Sequence, residues 1–123
     1  MKDIKVIGFN VPDAKEQFQK SLHETGFAVL KDHPINKDLI SSFYQVWIDF
    51  FNTEEKYKNT WLRDPMTHSG YFPYRSENAK GNPVKDLKEF FHIYPFSPLP
   101  AECEIITRKL YSELLDLGTQ LLQ

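Results

Sequence analysis

Glu24-Thr25-Gly26-Phe27-Ala28-Val29-Leu30-Lys31-Asp32-His33-Pro34-Ile35 is the stretch on which the fold turns. Gly26 can adopt the left-handed backbone that ends a helix. Upstream of it, Ala14, Phe18 and Leu22 share one face of a helix predicted over 14–24, with Asp13 as its N-cap. Downstream, Phe27-Ala28-Val29-Leu30 is a run of strand formers closed by Lys31-Asp32-His33-Pro34. Ile35 before Asn36 then joins a hydrophobic staple to a capping residue. The helix that follows carries Leu39, Ile40, Phe43, Val46, Trp47, Phe50 and Phe51, a wide apolar stripe at spacings of three and four. Helix, strand and helix in so short a span set an α+β pattern.

The flanks extend it. Residues 4–9 read as a strand ended by Asn10-Val11-Pro12. Thr53 opens a new turn with Glu54 and Glu55, where negative charge suits a helix start. Residues 60–86 lack sustained periodicity, and Ser69-Gly70-Tyr71-Phe72-Pro73-Tyr74 and Lys80-Gly81-Asn82-Pro83 both read as turns. Residues 87–94 read as a third strand, with Asp86, Lys88 and Glu89 as its solvated approach. Pro95, Pro98 and Pro100 make a stiff connector. A last helix starts at Pro100, with Ile106, Leu110, Leu114, Leu117 and Leu121 on one face and Ile105, Leu115 and Leu122 widening it. This apolar helix reaches Gln123 with no capping glycine, which predicts a truncation within or just after it.

Composition narrows the function. At 123 residues the chain is sized for one domain, and 15% aromatic residues argue for a packed core. Lys plus Arg is 15 against 17 acidic residues, so no global positive field draws it to nucleic acid. No apolar run approaches the ~20 residues that span a bilayer. The single cysteine excludes an internal disulfide and fits a reducing, cytoplasmic setting.

Catalytic constellations are not evident. His23, His33, His68 and His92 show none of the spacings of a metal site. His23 is expected to face solvent, His33 to bond local backbone, and His92 to be a satisfied core or edge histidine. Cys103 lies between Glu102 and Glu104, which disfavour its thiolate. Gly-x-Ser-x-Gly and glycine-rich phosphate loops are missing. Tyr71, Tyr74 and Arg75 sit in the long loop beside Gly70 with polar tips, so they are candidates to line a small-molecule pocket.

The order of motifs resembles the N-terminal region of the isopenicillin N synthase-like non-haem iron, 2-oxoglutarate-dependent oxygenases. Five stretches carry the likeness: Ile4 to Phe9 as a first strand; Phe18 and Leu22 leading into Glu24 to Ile35; Phe50-Phe51-Asn52-Thr53-Glu54-Glu55-Lys56; Ser69-Gly70-Tyr71 with Pro73; and Asp86-Leu87-Lys88-Glu89-Phe90-Phe91. Together they cover nearly the whole chain. Asp32 and Pro34 stand where that family has Asn and Gly, and Gly8 where Asp is common.

The resemblance implies an N-terminal α+β region, residues 1–123, that packs on a double-stranded β-helix (jelly-roll) core not contained in this chain. It implies that the whole protein oxidises a small organic substrate with Fe(II), 2-oxoglutarate and oxygen. In such enzymes His-x-Asp and a distant His hold iron, and Arg-x-Ser binds the 2-oxoglutarate carboxylate. No His here is followed two residues on by Asp or Glu, and Arg63, Arg75 and Arg108 are not followed two residues on by Ser. The resemblance therefore implies no catalytic or metal-binding residue in this chain and neither cofactor bound by it alone. It raises Tyr71, Tyr74 and Arg75 as substrate-side residues, because the family's Gly-Tyr turn borders the substrate entrance. Two other readings stay open. One is a free-standing, non-catalytic interaction module or inactive remnant. The other is a family member that does not use 2-oxoglutarate.

Overall fold

The structure, a computed structural model, describes residues 3–74 and 88–123. In chain order they form β1 (Val6–Gly8), α1 (Ala14–Thr25), β2 (Val29–Lys31), α2 (Lys37–Phe51), α3 (Glu55–Asn59), β3 (Gly70–Phe72), β4 (Phe90–His92) and α4 (Ala101–Leu122). The architecture is α+β with short strands. The strands pair as two separate ribbons, β1 with β2 in parallel and β3 with β4 antiparallel. The chain divides into two compact units, Met1–Ser42 with Ile106–Gln123, and Phe43–Ile105.

In the first unit β1 and β2 align Val6 with Val29, Ile7 with Leu30 and Gly8 with Lys31. Main-chain bonds from Val29 N to Lys5 O and from Phe9 N to Lys31 O lengthen the ladder at both ends. α1 packs against β1, and Ile7 is buried. Gly26 ends α1 as expected, at φ 80°, with its N–H on the Leu22 carbonyl at 2.9 Å. Ser21 donates to the Phe27 carbonyl at 2.7 Å, which fixes how the chain leaves α1 for β2. Asn36 caps α2: its Oδ1 accepts from Asp38 N at 2.7 Å, and Ile35 before it is buried. Asp13 holds the N-cap position of α1 but makes no side-chain cap; its Oδ1 instead accepts from Gln17 Nε2 at 2.7 Å. Gln19 Nε2 donates to the Leu121 carbonyl at 2.9 Å, joining α1 to the end of α4.

The second unit is built on aromatics. Trp47, Phe50, Tyr71, Leu99 and Cys103 are buried together, with Phe43, Val46, Phe51, Trp61, Phe91 and Ile93 packed on them. Ring pairs with centroids 4.9–6.0 Å apart link Trp47, Phe50, Phe91 and Tyr71 in tilted and edge-to-face geometry, the arrangement that ring quadrupoles favour.

Expectations also change for one strand and one helix face. Gly70–Phe72, read as part of a turn, is a strand, because Phe72 pairs with Phe90 and Tyr71 with Phe91. Trp61 O also accepts from Tyr71 N at 2.7 Å, and Arg63 N donates to Tyr71 O at 3.0 Å. Pairing partners distant in sequence thus override the local turn signal. The second change is on α4. Cys103, Thr107, Leu110 and Leu121 are buried, but Leu114 is 52% exposed and Ile105, Leu115 and Leu122 lie outside the buried stripe. The turn at Lys80–Pro83 lies outside the described residues.

Candidate functional site

Of the sequence candidates, Tyr71 lies within β3 and Tyr74 follows its end. Tyr71 and Phe72 alternate across the ribbon, so Tyr71 points into the aromatic core beside Phe91. Gly70 makes this possible. Its φ is 121°, and an added Cβ would stand 2.8 Å from Trp61 O and 2.9 Å from Arg63 Cα. Only glycine lets the backbone pass there.

Tyr71 is 1% exposed and donates its hydroxyl to Glu89 Oε2. Lys58 Nζ donates to the same oxygen at 3.0 Å and to the Phe51 carbonyl at 3.0 Å, and lies 5.7 Å from the Tyr71 ring centroid. Both charged side chains of this pair are 10% exposed. Burial first, then the Glu89 carboxylate, pushes the Tyr71 hydroxyl far above the ordinary tyrosine range. At any physiological pH it is a fixed neutral donor, not a proton-transfer group.

Glu89 and Lys58 are the residues that the sequence reading missed. Glu89 was expected at a solvated strand approach. It belongs instead to the inward-facing alternation of Glu89, Phe91 and Ile93, a period-two signal present in the sequence. Nothing comparable marks Lys58.

Beside this pair lies a cleft of about 380 Å³ walled by Phe43, Tyr44, Trp47, Ile48, Phe51 and Phe90, with Glu89 among its lining residues. Such a surface can hold apolar groups, with one carboxylate already engaged by Lys58 and Tyr71. Tyr74 is 58% exposed, free to meet solvent or a ligand. Arg75 lies outside the described residues.

The histidines are dispersed. His23 and His68 are exposed. His33 Nδ1 is buried and bonds no local backbone, contrary to expectation. His92 sits among Phe72, Phe90 and Tyr94, and its Nδ1 also lacks a partner, so the ring is enclosed but not satisfied. Among the described residues no group of three His, Cys, Asp or Glu side chains could hold a metal ion. These residues therefore do not fit a catalytic iron, and no chemical step is assigned to them. Burial, with Glu102 and Asp49 adding charge, pushes the Cys103 thiol up to about 12. Its Sγ lies 3.6 Å from the Val46 carbonyl. It is a packing residue, not a nucleophile. Among the described residues no helix is long and apolar enough to cross a membrane.

Comparison with known proteins adds the family. The family model described as non-haem dioxygenase in morphine synthesis, N-terminal, matches residues 4–113. A crystal structure of a protein assigned as an oxygenase from Shewanella oneidensis superposes with a TM-score of 0.83 at 38% identity, covering 98% of this chain and 43% of that one. A protein from Caulobacter crescentus, assigned to the 2OG-Fe(II) oxygenase family, superposes with a TM-score of 0.76 at 24% identity, a likeness of fold. It covers 99% of this chain and 47% of that one. The chain thus spans less than half the length of either solved relative. No curated protein matches it.

Proposed function

This chain belongs to the non-haem dioxygenase N-terminal family, and we propose that it is the N-terminal portion of an Fe(II)- and 2-oxoglutarate-dependent oxidoreductase of the isopenicillin N synthase-like type. The observation that carries this is the family match over residues 4–113, joined to solved relatives more than twice as long. The parent protein acts on a small organic substrate. Iron and 2-oxoglutarate bind in its C-terminal jelly-roll core, and these 123 residues contribute packing and part of the substrate entrance.

The segment from Tyr71 to Arg75 is the proposed substrate-side wall. Tyr71, held by Glu89, is its internal post. Tyr74 is its exposed face, and Arg75, next in the sequence, is proposed to share its role. A fixed residue three positions before an exposed aromatic helps to position a substrate contact, since a loose one costs catalytic alignment.

The test is to read the gene past the codon for Gln123. The proposal expects a continuing frame with His-x-Asp, a later His and Arg-x-Ser. A continuing frame without the iron ligands contradicts it. Iron ligands without the Arg-x-Ser pair would point to a family member that does not use 2-oxoglutarate.

A further inference from the structure

The cleft beside Glu89 encloses about 380 Å³, a volume that suits a small molecule. Phe43, Trp47, Phe51, Phe90 and Phe91 give its walls ring surface. Tyr44 and Ile48, which also line it, are 62% and 50% exposed, so the cleft opens to solvent. Glu89 is the one carboxylate among its lining residues. Lys58 and Tyr71 both donate to Oε2 of that carboxylate. Among the described residues nothing donates to its Oε1. Nor is Oε1 one of the sealed, unpartnered side-chain atoms, which are His33 Nδ1, His92 Nδ1 and Glu113 Oε2. It is an open acceptor in an aromatic cleft.

We infer that this cleft is a binding site for a small neutral aromatic molecule carrying one N–H or O–H donor, of the phenol or indole class. Aromatic walls favour an aromatic body, which can stack on them or meet their ring edges. Oε1 has to be met by a donor, since an apolar group laid over it would strip its water and return no hydrogen bond. The donor is neutral because Lys58, 3.0 Å from Oε2, already balances the carboxylate. A cation on Oε1 would face the Lys58 charge in a poorly solvated site with no second counter-charge. The inference goes beyond the proposed function and does not depend on it, since every group it uses lies within the compact unit Phe43–Ile105.

The test titrates the full-length protein by calorimetry with indole, and then with N-methylindole, which has the same ring body and no N–H. The expected result is one site per chain that saturates below about 1 mM indole. N-methylindole should bind about tenfold more weakly, as loss of a hydrogen bond to a charged group implies. Ile48→Trp, which fills the cleft from a half-exposed position, should weaken indole binding by about tenfold or more. Ile48→Glu, which puts charge into the apolar wall, repeats that reading should Ile48→Trp fold poorly. Absence of saturation overturns the inference. So does equal affinity for the two indoles, or indole binding left unchanged in a folded Ile48 variant. Tighter binding of phenyltrimethylammonium than of indole also overturns it, because the cleft would then be a cation site.

Discussion

Glu89 Oε2 receives the Lys58 ammonium at 3.0 Å in a site where both side chains are 10% exposed, and the Tyr71 hydroxyl shares that oxygen. Three segments separated in sequence, α3, β3 and the start of β4, are thereby fixed to one atom. Neither charge is comfortable there without the other.

Removing one partner should therefore cost more than removing both. Glu89→Gln is expected to lower stability by about 3 kcal/mol in urea unfolding, because it leaves Lys58 buried without a counter-charge. Lys58→Met with Glu89→Leu should recover most of that loss. Tyr71→Phe is expected to cost about 1–2 kcal/mol, the loss of one hydrogen bond to a charged group. A Glu89→Gln variant as stable as the parent would show that the pair is solvated.

Gly70 is a second sensitive point. A methyl group there meets Trp61 O and Arg63 Cα on a backbone already at positive φ. Gly70→Ala should cost about 2 kcal/mol or more, seen as a fall in the urea midpoint. At Gly26, also at positive φ but with nothing within 4 Å of an added Cβ, alanine should cost about 1 kcal/mol.

The thiol of Cys103 gives a pH prediction. Burial raises it from the ordinary 9.0 to about 12, so the folded state binds the proton more tightly than the unfolded state. That contribution to stability is complete below pH 9 and is lost as pH rises from 9 towards 12. At pH 8 native Cys103 should resist iodoacetamide and react only after unfolding. Rapid native labelling would contradict its burial.

Tyr74 tests the substrate wall. In the full-length enzyme Tyr74→Ala is expected to raise KM several-fold, about 1 kcal/mol of lost binding, with kcat little changed. Tyr71→Phe should act mainly through stability. Equal kinetics for Tyr74→Ala and the parent enzyme would remove Tyr74 from the entrance.

Much of this was legible because local chemistry and fold agree. Gly26 and Asn36 mark the ends of α1 and α2 by backbone and cap chemistry that needs only near neighbours. The spacing from Phe43 to Phe51 announces a buried helix face, and the aromatic core follows from it. What was hidden depends on residues distant in sequence. Gly70–Phe72 looks like a turn until Phe90–His92 and Trp61 pair with it. Glu89 looks like a surface charge until Lys58 arrives to neutralise it. The apolar residues left exposed on α4 look like core in the sequence, because apolar periodicity marks a face without saying whether anything packs on it.

The most direct test of the central claim is an anaerobic titration of the full-length protein with Fe(II) and 2-oxoglutarate, followed by visible absorbance and by succinate formation once oxygen is admitted. The account predicts one iron per full-length chain, an absorbance that depends on 2-oxoglutarate, and oxygen-dependent succinate. A full-length protein that binds no iron and forms no succinate would contradict it.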